Sequence, residues 1–226
     1  MMEWLSDVMP NIMDKLPSLQ ISFIETLYML AIAGSLSVLI GLIFGVILTV
    51  TKKNHILQNI VLYTILDKIL NLFRSIPFII LVSLLIYVSQ AIVGTFIGPK
   101  GALVPLVFAT VPFYARQIES VLAEVSDGLI EASLAMGITP IQIIIRVYLK
   151  ESIPGIIRST MTTFISLIGL IAMVGVVAGG GLGDFAIRYG FQRSQVDVIY
   201  VVVIIILCLV TIIQWIGNYF IKKYTH

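Results

Sequence analysis

Apolar residues in this chain gather in long runs without charge, instead of recurring at the spacing of a half-buried helix or strand. A bilayer core about 30 Å thick takes roughly 20 helical residues to cross. Five uncharged stretches meet or approach that length: Leu27–Thr51, Ile76–Val93, a run beginning at Ala102, Ser159 to about Val177, and Val198–Gly217. With the polar residues that continue them as helix, the expected spans are residues 27–51, 68–93, 102–118, 159–178 and 198–217. The fold class predicted is all-α, a polytopic membrane protein with five transmembrane helices. Residues 1–20 precede the membrane region as a short external segment, and residues 119–155 form the longest loop.

Composition agrees with the pattern. Of 226 residues, 59% are hydrophobic and 12% charged, where a soluble domain carries about a quarter charged residues. This excludes a soluble enzyme, a nucleic-acid binder and a disordered chain. Glu3, Asp7 and Asp14 stand where a removable signal peptide would carry basic residues. The single cysteine, Cys208, lies in an apolar run without a partner for a disulfide, and His55 and His226 have no metal-site spacing.

The charges that remain set an orientation. With the N-terminus outside, the inner segments hold Lys52, Lys53, Lys68, Arg74, Arg116, Arg146, Lys150, Arg158, Lys222 and Lys223, ten of the 14 basic residues. The outer segments hold Lys15, Lys100, Arg188 and Arg193. The excess of Lys and Arg on cytoplasmic loops therefore predicts N-terminus out and C-terminus in. No charge falls at the middle of a span, where ion-coupled carriers place their carboxylates. Glu25 comes nearest, at the outer end of the first span. No nucleophile–base grouping or phosphate-binding loop is present either, since Gly179-Gly180-Gly181-Leu182-Gly183 lacks a following Lys-Ser/Thr and reads as a turn with close backbone packing.

Two segments are ambiguous by pattern. From Ile56 to Ser75, the residues Thr64, Asp67, Asn71, Arg74 and Ser75 recur at helical spacing as one polar stripe. The segment reads as the wet inner end of the second helix, with Pro77 permitting a bend; an interfacial helix is the alternative. From Ala115 onward a helix is expected to carry Glu124, Asp127 and Glu131 on one face and to stop at Gly137. Thr139 then offers an N-cap and Pro140 a first helical position for a second, amphipathic helix reaching about Glu151. A rigid knob of this shape suits docking to a soluble partner; a solvated hairpin is the plainer reading.

The sequence Glu131-Ala132-Ser133-Leu134-Ala135-Met136-Gly137, followed by Ile138-Thr139-Pro140 and Ile153-Pro154-Gly155, resembles the EAA loop of ABC importer permeases. It matches the Glu, the first Ala, the Gly six residues on and the terminal Pro, and departs by one small residue at Ser133. Phe73-Arg74-Ser75-Ile76-Pro77-Phe78, Gly128-Leu129-Ile130-Glu131-Ala132 and the glycine run add a likeness to methionine-uptake permeases that extends from Leu27 to His226. The resemblance implies a type I ABC importer permease domain over residues 21–226, in the bacterial inner membrane. It implies no enzymatic activity and no cofactor of the chain's own, with ATP and Mg2+ used by a partner. The implied partners are a second copy of the chain, two ATP-binding subunits and an external substrate-binding lipoprotein, within membrane lipid and without nucleic acid. The substrate implied is D- or L-methionine, with another amino acid or a small quaternary amine as the alternative. An ion-coupled carrier is disfavoured by the uncharged span centres.

By the same resemblance, Glu131, Ala132, Ser133, Met136, Gly137, Ile138, Thr139 and Pro140 contact the ATPase. In the fourth span, Ser166, Gly169, Ala172 and Met173 are candidates for the pathway. Met173 reads either as a gate or as a flexible gap-filler between helices. Gly41 and Gly45, four residues apart, suit close helix packing.

Overall fold

The computed structural model describes residues 10–224, which are helical with no strand among them. In chain order the helices are α1 (Pro10–Met13), α2 (Leu16–Thr51), α3 (Ile60–Ser75), α4 (Phe78–Leu84), α5 (Ile86–Val93), α6 (Gly98–Leu122) and α7 (Asp127–Ala135). There follow α8 (Pro140–Ile143), a π-helical turn at Ile144–Tyr148, α9 (Leu149–Glu151), α10 (Ile153–Val174), α11 (Gly181–Phe185), a second π turn at Ala186–Phe191 and α12 (Val196–Tyr224). Four of them, α2, α6, α10 with its 3-10 extension to Val177, and α12, are long and apolar enough to cross a membrane.

Three expectations change. The helix that holds the first span begins at Leu16, ahead of the expected Leu27; Glu3, Asp7 and His226 lie outside the described residues. The 36 residues of α2 extend about 54 Å, well beyond what the hydrocarbon requires. The expected helix 68–93 is not continuous. Ile76 is extended (φ −85°, ψ 124°) and Pro77 caps a new helix, because proline lacks an N–H and crowds the preceding residue out of the helical region. Beyond it α4 and α5 meet at Leu85, with the ladder kept by Leu85 N–H to Leu81 O (3.0 Å) and Ser89 N–H to Leu85 O (2.8 Å). The helix expected from Ala115 to Gly137 is likewise two helices, parted at residues 123–126 where Ser126 takes a non-helical N-cap conformation (ψ 129°). Glu124 therefore lies in the turn and does not share a helical face with Asp127 and Glu131.

The chain packs as two units, described separately. The first comprises the residues up to Ser35, Pro77–Val107 and Phe164–Ile213. Met29, Ala33, Leu106 and Leu167 are fully buried at its centre, and Leu182, Phe185 and Val198 form a second cluster with Ile12 and Leu19. The glycine run is the start of α11. Gly180 and Gly181 both hold φ +77°, and the Glu25 carboxylate accepts the Gly181 N–H (2.7 Å) while Thr26 Oγ1 accepts that of Leu182 (2.8 Å). At Gly183 a Cβ would fall 2.2 Å from the Ala172 carbonyl oxygen, so only glycine lets α11 lie against α10. The close packing expected there is present, and Glu25 serves it.

The second unit comprises Leu36–Ile76, Phe108–Thr163 and the residues from Gln214. Tyr114, Ile118, Leu122, Ile143 and Tyr148 are almost wholly buried in its main cluster. Gly41 and Gly45 seat α2 on α6: a Cβ on Gly45 would lie 2.6 Å from the Ile118 side chain and 2.8 Å from the Ala115 carbonyl. Tyr114 Oη and Thr160 Oγ1 lie 2.8 Å apart, and Gln117 Nε2 donates to Thr163 Oγ1 (3.0 Å), tying α6 to α10.

Candidate functional site

The loop between α6 and α10 is a built element of the second unit. Helix α7 starts with Asp127 in its first turn, where a carboxylate is favoured by the exposed N–H groups. It ends at Ala135, and Gly137 takes φ +75°. The Gly137 N–H donates to Leu134 O (2.9 Å) and the Ile138 N–H to Ser133 O (3.2 Å), the paired bonds of a Schellman ending. Two residues on, Thr139 is extended and caps α8; its N–H donates to Gln142 Oε1 (3.3 Å), and Pro140 occupies the first helical position. The expected stop at Gly137 and restart at Thr139-Pro140 are therefore found. The second helix is not regular, as it widens to a π turn over Ile144–Tyr148.

One face of this loop is anchored. Ile130, Ser133, Ile143, Val147 and Tyr148 are buried in the unit's core. Ser133 Oγ donates to Leu129 O (2.7 Å), and Tyr148 Oη lies 3.3 Å from His55 Nδ1 in the turn after α2. Burial and the nearby Asp127 carboxylate both push the Tyr148 phenol above its ordinary value. The other face is open and apolar: Met136 is 71% exposed, Ile141 67% and Ile145 59%.

Of the residues expected to contact a partner, Glu131, Ala132, Met136, Gly137 and Thr139 are exposed, and Ile138 and Pro140 half-buried. Ser133 points inward. Sequence reasoning did not single out Ile141 and Ile145 as contacts; Ile141 lies in α8 and Ile145 in the π turn that follows. The candidates in α10 lie in the first unit. Ser166, Gly169 and Met173 are exposed and share a helical face, and Ala172 beside them is half-buried.

The polar stripe on α3 acquires a partner that charge counting overlooked. Arg116 on α6 donates from Nη1 to Glu119 Oε2 (2.7 Å) and from Nη2 to Asn71 Oδ1 (3.1 Å) and to the Asp67 carboxylate. Asn71 Nδ2 in turn donates to Asp67 Oδ2 (3.2 Å). The stripe is a clamp holding α3 to α6, with Phe73 stacked edge-on to Phe108 at 5.3 Å. The signal for it was an arginine ending an apolar run.

Comparison with known proteins agrees with this architecture. The chain is 47% identical over 202 residues to a probable D-methionine transport system permease protein of Vibrio cholerae, covering 89% of this chain and 90% of the relative. It is 41% identical over 194 residues to a methionine import system permease protein of Bacillus subtilis, covering 86% and 87%. Among solved structures, a chain of an inward-facing methionine ABC transporter superposes with TM-score 0.89 at 42% identity, over 92% of this chain and 96% of that one. Residues 37–226 match the model of the binding-protein-dependent transport system inner membrane component. A multi-pass helical chain with a capped, exposed loop in the second unit, this protein belongs to that family of bacterial inner-membrane permeases.

Proposed function

We propose that this chain is the permease subunit of an ATP-driven methionine importer, and that the α7–α9 loop is where it meets the ATPase. The observation that carries the coupling role is the division of that loop. One face is locked into a buried core and the other presents Met136, Ile141 and Ile145 to a partner. Exposed apolar residues on a rigid mount suit a groove in a second subunit, since little conformational freedom is lost on docking. The relatives named above act on methionine, which supports that substrate here. In this reading the N-terminus is outside and the loop cytoplasmic. Two copies of the chain enclose the pathway over two ATP-binding subunits that use ATP and Mg2+, and a lipoprotein delivers substrate from outside. Ser166, Gly169, Ala172 and Met173 face that pathway. The chain itself is a permease and not an enzyme.

ATP closes the ATPase pair only if it binds the closed state more tightly, and the loop carries that difference to the permease. The test is reconstitution of the permease with its ATPase and binding protein in liposomes. Methionine uptake should require ATP and survive a protonophore. Uptake without ATP, or none in the complete system, overturns the proposal.

A further inference from the structure

At the foot of the loop, within the second unit, the end of α6 and the starts of α7 and α10 line an open cavity of about 390 Å³. That volume falls in the range of small-molecule sites. Its wall carries both signs of charge, the carboxylates of Glu124 and Glu151 and the guanidinium of Arg158. None of the three takes part in an ion pair among the described residues. Ser152, also in the wall, is only 5% exposed, and its hydroxyl has no hydrogen-bond partner. A buried hydroxyl is ordinarily satisfied, so this one marks a place for a further polar group. Val121 and Leu129 complete the wall with apolar surface.

Opposite charges kept apart in one concavity discriminate between ligands. The wall's net charge is negative, so a simple anion is disfavoured by the two carboxylates, while a simple cation leaves the Arg158 guanidinium without a partner. A molecule bearing both charges a few ångströms apart satisfies all three with charge-assisted hydrogen bonds. We infer that this cavity binds a free zwitterionic α-amino acid, with its carboxylate on Arg158, its ammonium toward Glu124 and Glu151, and its side chain against Val121 and Leu129. The inference rests on the importer reading, in which the cavity faces the cytoplasm. Arg158 is exposed on α10 with Thr162 a turn further on the same face.

The test uses the whole complex in liposomes or nanodiscs, with Cys208→Ala removing the native thiol and Ser126→Cys placing one at the cavity wall. Millimolar methionine should slow maleimide labelling of that thiol severalfold, and the decarboxylated amine of methionine should not. Arg158→Gln should raise the half-protecting concentration at least about tenfold, as expected for loss of a hydrogen bond to a charged group. The double variant Glu124→Gln, Glu151→Gln should do the same while leaving the complex assembled. Absence of protection, protection indifferent to these changes, or a thiol already shielded by another subunit without ligand each overturns the site. Uptake is measured on the same preparation. ATP-driven methionine uptake without protection removes the site alone, whereas failed uptake removes the importer reading and leaves protection by other zwitterionic amino acids to decide the cavity.

Discussion

Substituting Gly137 should separate coupling from membrane insertion. Its φ of +75° lies where an L side chain costs about 1–2 kcal/mol. Nothing lies within 4 Å of where a Cβ would stand, so Gly137→Ala meets that backbone cost and no clash. The chain can escape only by giving up the Gly137–Leu134 and Ile138–Ser133 bonds, each worth about 1 kcal/mol net, so relaxation gains nothing. A shift of 1–2 kcal/mol changes the population of the native turn by a factor of about 5–30. Asparagine tolerates this conformation better than alanine, and tryptophan adds bulk at the exposed tip. ATP-driven uptake should therefore fall in the order glycine, asparagine, alanine, tryptophan, and ATPase pull-down should fall with it. Membrane levels should be equal for all four, because the position buries nothing. Wild-type uptake by Gly137→Trp, or alanine and asparagine variants that behave alike, would refute this reasoning.

Other perturbations probe the scaffold. Arg116→Gln should lower the stability of the solubilised protein by about 2 kcal/mol, between the limits for exposed and buried ion pairs, since Asp67 and Glu119 lose their cation; an unchanged Tm refutes the clamp. Gly45→Leu should cost about 1–3 kcal/mol through overpacking on Ile118 and reduce the folded yield in detergent. Gly169→Ala, where a Cβ meets open space, serves as its control and should fold normally. For Tyr148 the folded pKa is raised above 10.0, so the fold favours the neutral phenol. Its contribution is complete below pH 10 and is lost as pH rises through the folded value. Thermal melts on either side of that range should show an alkaline loss that Tyr148→Phe diminishes; an identical loss in the variant contradicts the assignment.

Much of the α7–α9 loop is legible in the sequence, because its chemistry is local. A glycine ending one helix and a Thr-Pro pair starting the next act within a few residues, and the backbone follows them. The π turn at Ile144–Tyr148, and with it the outward direction of Ile145, was not legible. Ser133 looked like a contact residue from its place in the motif, yet the helix turns it into the core. The break before Asp127 was missed for the opposite reason. The acidic spacing suited one helix, and the N-cap that Ser126 provides was not considered.

Sequence by itself determined that the chain lives in a bilayer, since uncharged runs of that length have no soluble solution, and it located the capped loop through residues whose preferences are intrinsic. Only the tertiary structure decided which charges are partners and which are solitary. Arg116 meets Asp67 across 49 positions of chain, and Glu25 meets Gly181 across 156. Pairings at such separations depend on how helices pack, and packing is a property of surfaces brought together and not of any local run. Glu124, Glu151 and Arg158 looked like ordinary loop charges in the sequence. The fold gathers them around one cavity and leaves them unpaired.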